Sequence, residues 1–383
     1  MADLQSTRDV SLAEIALVFL KLGTTAFGGP AAHLALMEEE FVRRRKWITH
    51  EEFLDRLATA NLIPGPSSTE VAIFIGQLKR GWRGLIVAGA CFIVPAALMV
   101  AAIAWAYVKF GSLPKAQGVL YAIKPVVVAI VVQALGRLSR TGVRTPLLAV
   151  IAGLAVVLNL LGVGPVWVLG IAGALSAATM GMKNRLLGAT LPGLPRFLAL
   201  IIAAATATAT WPGGLLRLFL SFLKIGSVVF GSGYVLLAFL RAEFVERLHW
   251  ITNQQLLDAV AVGQFTPGPV FTTATFIGFV VAGWKGAVAA TVGIFLPGFL
   301  LVALSGPVIP RLRRSPWLGP ALDGVVAGSL ALMAVVTWQL GKASLVDWTT
   351  LVLFGVSLVA LLRYEVNSAW LIAGAAVVGW LVR

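Results

Sequence analysis

The triplet Pro-Gly-Pro occurs twice in this chain, at 64–66 within LIPGPSSTEV and at 267–269 within FTPGPVFTTA. Proline removes a backbone donor and clashes with the preceding helical turn, so each triplet must interrupt a helix. The surroundings are strongly apolar, with 59% hydrophobic residues, 12% charged residues and a mean hydropathy of +0.92. This composition indicates an integral membrane protein, in which irregular backbone survives only beside protein or a wet cavity. The two breaks therefore predict the position of a cavity.

Apolar stretches of the length that crosses a bilayer recur along the chain. They lie at 12–36, 84–108, 118–136, 146–162, 164–182, 213–238, 286–308, 318–340, 345–362 and 367–382, with 197–211 as a marginal candidate. Ala, Val, Leu, Gly and Ile fill these stretches without polar alternation, which favours helices over an outer-membrane barrel. We therefore expect an all-α polytopic membrane protein.

An internal repeat relates the two parts of the chain at a constant offset of 203 residues, which falls to 202 after Thr69 and Thr272. The matched segments include FLKLG at 19–23 with FLKIG at 222–226, EFVRRRKWIT at 40–49 with EFVERLHWIT at 243–252, and FIG at 74–76 with FIG at 276–278. We expect an N-terminal repeat over 1–183 and a C-terminal repeat over 213–383. The connector 184–212 joins them, and whether it enters the membrane is left open.

The basic residues indicate how each repeat is oriented, because cytoplasmic connections are enriched in Lys and Arg. The first-repeat windows 43–46, 79–83, 137–144 and 183–196 hold 13 of them, and the equivalents 241–249, 282–286, 342–348 and the carboxyl end hold 5. We therefore expect the second repeat to be inverted, as in many secondary transporters. Since the windows on both sides of the first triplet are basic, the triplet predicts a re-entrant hairpin, which leaves about five full spans per repeat.

Each break should start a helix whose first amides lack an intrahelical acceptor and whose positive dipole end attracts anions. Hydroxyl residues follow both triplets, and the glycine clusters AFGGPA at 26–31 and VFGSGY at 229–234 would admit a second backbone. A lysine within an apolar span lies near each cluster. The candidate substrate-binding residues are Lys21, Gly28, Gly29, Asn61, Pro64, Gly65, Pro66, Ser67, Ser68, Thr69, Lys224, Gly231, Ser232, Gly233, Gln264, Thr266, Pro267, Gly268, Pro269, Thr272 and Thr273.

Other interpretations of these residues stay open. The triplets could be structural kinks, the glycines could serve tight helix packing, and the two lysines could form structural ion pairs. Asp55, Glu70 and Asp258 are candidates for coupling transport to protons. His33 has no counterpart in the second repeat, where Leu236 stands, and we expect it to be ordinary packing.

Several function classes are not expected. The net charge of +14 is dispersed over short connections, which argues against a nucleic-acid partner. There is no Cys/His spacing typical of a metal site, and no cofactor is expected. A membrane-embedded enzyme or lipid-handling protein would need a nucleophile beside a base, and no apolar segment contains such a pair.

The pairing of FGG with PGPSSTEVAIFIG, and of FGSGYVLLAFL with GQFTPGPVFTTATFIG, resembles the chromate ion transporter family in its long two-domain form. The resemblance covers nearly the whole chain. It implies export of chromate across the bacterial inner membrane, with sulfate as a related or competing anion and membrane lipid as the other partner. A homodimer is left open. We expect alternating access by rocking of the two repeats around one oxyanion, the alternative being a proton-coupled carrier of sulfate, molybdate or another anion.

Overall fold

The computed structural model describes residues 10–27, 29–185, 214–230, 233, 235–313, 317–364 and 366–382. The regular elements within these ranges are helices. In the first repeat they are α1 (Leu12–Thr25), α2 (Gly29–Glu38), α3 (His50–Ala60), α4 (Ser67–Phe110), α5 (Pro114–Gly142), α6 (Pro146–Leu160) and α7 (Pro165–Arg185). The marginal span 197–211 and all but the first residues of the connector lie outside the described residues.

The second repeat follows the same order of elements. Its helices are α8 (Leu215–Val228), α9 (Leu236–Leu240), α10 (Asn253–Phe265), α11 (Thr273–Arg313), α12 (Leu318–Ser344), α13 (Trp348–Arg363) and α14 (Ser368–Val382). A π-helical turn continues α2 over Glu39–Arg44 and α9 over Arg241–Arg247. A short 3₁₀ turn, Val270–Thr272, precedes α11.

The long helix α4 consists of two arms that run in opposite directions. Its backbone leaves helical geometry at Arg80 and Gly81, where the glycine φ is 57°. A Cβ on Gly76 would overlap the carbonyl oxygen of Gly84, whereas a continuous helix would hold these residues about 12 Å apart. The chain therefore turns back at this point, and α11 turns back in the same way at Gly283.

The helices α1 and α2 also form a hairpin. Oε1 of Glu14 lies 2.9 Å from Nη1 of Arg45, and the rings of Phe19 and Phe41 are 5.1 Å apart. These pairs join the start of α1 to the end of the π-helical turn, so the two arms are antiparallel. The prediction of a single span over 12–36 is therefore wrong, because neither arm is as long as a bilayer core of about 30 Å.

The equivalent hairpin of the second repeat joins α8 to the π-helical turn after α9. The rings of Phe222 and Phe244 stack at 4.7 Å, and the hydroxyl of Ser221 donates to Glu243 at 2.9 Å. The prediction of one span over 213–238 is wrong for the same reason. Each repeat thus begins with two short helical hairpins, the second of which contains the Pro-Gly-Pro turn.

Among the described residues, four helical runs have the length and apolar composition of a membrane span. They are Ser67–Phe110, Pro114–Gly142, Val270–Ser305 and Leu318–Ser344. Shorter apolar helices cover Pro146–Leu160, Pro165–Thr179, Trp348–Arg363 and Ser368–Leu381. The protein is therefore a helical membrane protein, as its sequence predicts.

The helices assemble into two bundles, and each bundle contains parts of both repeats. In the hairpin bundle, α1 packs on α4, α8 packs on α11, and α4 packs on α11. In the scaffold bundle, α5 packs on α13 and α14, while α12 packs on α6 and α7. The last two helices of each repeat thus pack on α5 or α12 of the other repeat. This interleaving does not fit two repeats that rock as separate bodies.

The direction of α13 relative to α5 follows from two side-chain contacts. The hydroxyl of Tyr121, near the start of α5, donates to Asp347, which caps the start of α13. Further along, Nε2 of Gln133 donates to the carbonyl of Leu361 at 2.8 Å. The two helices therefore run side by side in the same direction.

Candidate functional site

Each Pro-Gly-Pro turn is bonded to the hairpin tip of the other repeat. The amide of Gly65 donates to the carbonyl of Val229 at 2.8 Å, and the amide of Gly268 donates to the carbonyl of Ala26 at 2.9 Å. Ala26 and Val229 follow the last residues of α1 and α8, so both acceptors are carbonyls freed by a helix end. The two hairpin tips and the two Pro-Gly-Pro turns therefore meet at one place, where each turn is bonded to the tip of the other repeat.

Both central glycines are required by conformation and by space. Gly65 has a φ of 138° and Gly268 a φ of 90°, which side-chain-bearing residues rarely adopt. A Cβ at Gly65 would overlap Oε1 of Glu70, and one at Gly268 would lie 2.7 Å from the Cβ of Ala96. The two turns are thus packed tightly against different neighbours.

The first turn of α4 presents backbone donors, as the sequence predicts for a helix that starts inside the protein. The amides of Thr69 and Glu70 bond to the carbonyl of Pro66, at 2.8 and 3.1 Å. Within the described residues, the amides of Ser67 and Ser68 donate to no acceptor. They form the positive end of a helix whose first residues are largely buried.

The hydroxyl groups differ between the repeats. In the second repeat Thr272 donates to the carbonyl of Pro269 and Thr273 to that of Val270, both at 2.8 Å. In the first repeat the buried Oγ1 of Thr69 has no partner within the described residues. Among the hydroxyl groups that the structure describes at the two turns, the unused donor of Thr69 therefore belongs to the first repeat.

His33 is the residue of the site that sequence reasoning set aside as packing. It is 1% exposed, and its Nε2 lies 3.0 Å from the carbonyl of Ala26. Because a carbonyl only accepts, Nε2 carries a hydrogen in this contact, and Nδ1 lies 3.4 Å from Oγ of Ser68. The imidazole thus links the tip of the first hairpin to the first turn of α4. One feature of the sequence indicated this role, which is that His33 is a polar residue within an apolar stretch and close to the glycine cluster at 26–31.

Glu70 lies beneath the first Pro-Gly-Pro turn. It is 0% exposed, and within the described residues neither carboxyl oxygen has a hydrogen-bond partner. A Cβ added to Gly298 on α11 would lie 3.8 Å from Oε1 of Glu70. The carboxyl group is therefore enclosed between the turn of one repeat and the long helix of the other.

The two lysines predicted for the site are not found at the Pro-Gly-Pro turns. Nζ of Lys224 lies 3.5 Å from Oε2 of Glu243, and Oε1 of the same carboxylate contacts Ser221 and Arg247. This is the structural ion pair that the sequence left open as the alternative. Lys21 is exposed on α1. Neither lysine forms an ion pair with a residue of the turns within the described residues.

Asp258 and Asp55 occupy equivalent positions but have different surroundings. Asp258 is buried on α10, where Nζ of Lys124 lies 3.4 Å away and the hydroxyl of Tyr107 donates at 3.0 Å. Asp55 on α3 is partly exposed, with Arg56 at 3.9 Å. Lys124 and Tyr107 were missed by sequence reasoning, although a lysine inside the predicted span 118–136 was a signal for the first of them.

The remaining predicted residues are distributed around the tips. Gly29 is buried with a φ of 77°, and a Cβ on Gly233 would lie 3.4 Å from the Cβ of Val270. Asn61 is exposed, whereas its counterpart Gln264 is buried. Buried or partly buried residues complete the two turns, namely Pro64, Pro66, Thr266, Pro267 and Pro269. Gly28, Gly231 and Ser232 lie outside the described residues.

Other features of the structure are less suited to an anion. A cavity of about 300 Å³ between α5 and α14 is lined by apolar side chains only, namely Val119, Ala376, Val377, Trp380 and Leu381. In the part of the chain that the structure describes, no group of His, Cys, Asp and Glu could hold a metal ion. The helix breaks therefore remain the strongest candidate site.

The chain is similar to known proteins along most of its length. A family described as chromate transporters matches residues 13–178 and 216–380. The chromate transport protein of Cupriavidus metallidurans is 33% identical over 380 residues, covering 96% of this chain and 92% of that protein. The chromate transport protein of Pseudomonas aeruginosa is 31% identical over 381 residues, covering 95% and 91%. A probable chromate transport protein of Synechococcus elongatus is 33% identical over 363 residues, covering 92% and 89%. No solved structure matches the chain.

The family match has two separate regions, and each contains one Pro-Gly-Pro turn with its two hairpins. The family is described as one of transporters. Matches that cover nearly all of this chain and of its relatives leave no large segment without a counterpart. The chain therefore belongs to the chromate transporter family.

Proposed function

We propose that this multi-pass protein of the bacterial inner membrane exports chromate, and that it holds the anion at the paired helix starts behind the two Pro-Gly-Pro turns. The observation that carries this proposal is the reciprocal bonding of each turn to the opposite hairpin tip, which gathers the helix ends in one buried place. The names of the relatives supply the substrate. The helix ends supply the chemistry that an oxyanion needs.

The electrostatics favour a negatively charged substrate at this place. The unused amides of Ser67 and Ser68 form the positive end of a helix dipole, and backbone donors of this kind bind anion oxygens. The breaks lie among apolar helices, where such an interaction is weakly screened. A dianion that leaves a cell with a negative interior gains about 4.6 kcal/mol per 100 mV, so the membrane potential could drive export.

Inverted topology of the two repeats is part of the proposal. The start of α5 follows the second arm of α4, which crosses the membrane, and it therefore lies on the face opposite the start of α1. There Lys124 contacts Gln254 at the start of α10, and Tyr121 contacts the capping residue of α13. In the second repeat, α10 and α13 begin on the same face of the membrane as α8, the first helix of that repeat. These contacts support opposite orientations of the two repeats.

The bodies that move in alternating access are, on this proposal, the two bundles. Each repeat contributes helices to both bundles, so a motion of one repeat against the other would separate α5 from α13 and α14. A motion of the hairpin bundle against the scaffold bundle leaves those contacts intact. It also carries the helix breaks as one unit, which suits a site that must stay assembled while its access changes.

Transport in proteoliposomes tests the proposal. Purified protein should catalyse counterflow of chromate. The double variant Pro64→Ala/Pro267→Ala should lose at least tenfold in rate, because the fixed φ of the proline that enters each turn is then lost. Pro146→Ala is the matched control, since Pro146 lies at the first position of α6 in the scaffold bundle. Full counterflow by the correctly inserted double variant would refute the site.

The alternative substrate is sulfate, molybdate or another tetrahedral anion. Backbone amides bind any such oxyanion, so the geometry does not separate them. Competition by each anion against chromate counterflow measures the preference. If export of chromate is the function, each of the other anions should compete with labelled chromate less effectively than unlabelled chromate does.

A further inference from the structure

We infer that Glu70 carries a proton together with the transported anion, so that one proton moves in the same direction as each oxyanion. This inference rests on the proposed function and adds its coupling ion. It also selects one residue among three acidic candidates. Its starting point is a carboxyl group that is fully enclosed at the helix breaks and has no partner within the described residues.

The position of Glu70 connects the carboxyl group to the proposed anion site. It is the fourth residue of α4, and its amide bonds to Pro66 while the amides of Ser67 and Ser68 remain unused. The carboxyl group packs against Gly65 on one side and against Gly298 on the other. An anion held by the first turn of α4 would therefore bind close to this group.

The elements packed against α4 provide no charge that neutralises Glu70. Within the described residues none of their charged or titratable groups forms an ion pair with it. These groups are Glu14 and Lys21 on α1, His33 and Glu38 on α2, His50, Glu51, Glu52, Asp55 and Arg56 on α3, Asp258 on α10 and Lys285 on α11. His33 is engaged with Ala26 and Ser68, and Lys285 is exposed.

The other two acidic candidates are less suited to carry a proton. Asp258 is held by Lys124 and Tyr107, so its negative charge has a partner. Asp55 is partly exposed and lies near Arg56, outside the enclosed region. The second repeat has no residue equivalent to Glu70, because the offset between the repeats falls by one at this point. The neighbouring hydroxyls of Thr272 and Thr273 each donate to a backbone carbonyl. A single proton per cycle follows from this asymmetry.

The sign of the coupling follows from electrostatics. An ionised carboxylate next to a bound oxyanion would repel it in surroundings that screen poorly, whereas a neutral carboxylic acid can donate its O–H to an anion oxygen. Anion binding therefore favours the protonated form of Glu70. By linkage, protonation favours anion binding to the same extent, and the two ligands travel as a pair. The charge moved per dianion is then one instead of two.

Simultaneous recording of anion and proton movement tests the inference. Proteoliposomes that contain the full chain receive a chromate gradient at alkaline pH, where chromate is fully ionised, and a trapped pH dye reports protons. The wild type should move about one proton per anion in the same direction. Glu70→Gln, which keeps the neutral shape but cannot release a proton, should lower the number of protons moved per chromate at least tenfold, whatever its rate of counterflow. Asp55→Asn is the control and should behave as the wild type.

The outcomes separate this inference from the proposed function. Wild-type counterflow without proton movement overturns the inference and leaves the transport function in place. An unchanged proton signal in Glu70→Gln also overturns it. Absence of wild-type counterflow refutes the proposed function itself. If Glu70→Gln fails to insert, the wild-type stoichiometry still decides, because two charges per chromate without a proton would contradict it.

Discussion

The amide of Gly268 donates a hydrogen bond to the carbonyl of Ala26, and the imidazole of His33 occupies the same carbonyl. One acceptor thus joins the Pro-Gly-Pro turn of the second repeat to both helices of the first hairpin. The mirrored bond between Gly65 and Val229 has no histidine, because Leu236 stands at the equivalent position. The site is therefore symmetric in its backbone and asymmetric in its side chains.

Replacing Gly65 should impair transport more than it impairs folding. Gly65→Ala adds backbone strain of about 1–3 kcal/mol and places a Cβ where Oε1 of Glu70 lies, so the carboxyl group must move. We expect a modest fall in thermal stability and a large fall in chromate counterflow.

Gly162→Ala is the control for that experiment. Gly162 also has a positive φ, of 86°, but a Cβ there would have no neighbour within 4 Å. Gly162→Ala should therefore lower the thermal stability by a similar amount and keep the wild-type rate of chromate counterflow. Equal transport rates in the two variants would contradict a role for the Glu70 position.

The reversal within α4 depends on a close backbone contact. Gly84→Ala would drive a Cβ into the carbonyl oxygen of Gly76, a rigid neighbour, and should destabilise the protein by about 1–3 kcal/mol or more. Gly153→Ala on the exposed side of α6 meets nothing within 4 Å and should be neutral or slightly stabilising. The melting temperatures of both variants can be measured by heating the protein in detergent and monitoring its unfolding by size-exclusion chromatography. Similar melting temperatures for the two variants would argue against the reversal.

The ion pair between Lys124 and Asp258 joins α5 of the scaffold bundle to α10, the helix that leads into the second Pro-Gly-Pro turn. Lys124→Met removes the cation and leaves a buried carboxylate, so we expect a loss of about 3–5 kcal/mol in unfolding free energy. The double variant Lys124→Met/Asp258→Asn should recover much of that loss, because no unpaired charge remains. Additive effects in this double-mutant cycle would show that the two residues do not interact.

His33 should matter for the anion site and not for the fold. His33→Leu introduces the residue of the second repeat and removes the contacts to Ala26 and Ser68. The carbonyl of Ala26 keeps its bond from Gly268, so the loss at the start of α4 is that of the Ser68 contact, about 1 kcal/mol. We expect the KM for chromate to rise roughly five- to tenfold. The exposed His50 supplies the control, His50→Leu, which should keep the wild-type KM. An unchanged KM in His33→Leu would mean that the histidine only packs.

Local features of this fold could be predicted from the sequence because the repeat doubled each signal. Pro64 and Pro267 occupy equivalent positions, so the helix breaks and their pairing were accessible without a structure. The reversal over 12–36 was not, because the stretch is mostly apolar and its only proline, Pro30, lies past the turn. That hairpin depends on contacts such as Phe19 with Phe41, which hydropathy does not reveal.

The contacts between distant segments could not be predicted either. Lys124 was visible as a cation within an apolar span, but its partner Asp258 lies in the other repeat. Sequence reasoning assigned the site charge to Lys21 and Lys224 because they lie near the glycine clusters. The pairing of Lys224 with Glu243 follows from the reversal of the hairpin, which was itself unforeseen.

The interleaving of the repeats has a consequence for biosynthesis. α5 ends at Gly142, whereas the helices that cover it begin at Trp348 and Ser368, so the ribosome delivers its partners last. Until then lipid must cover the exposed side of α5, which costs little because lipid tails are as apolar as leucine. A chain whose translation stops before α13 should therefore insert into the membrane but fail to complete the packing around α5. Severing the connector should be tolerated when both fragments are made in the same cell.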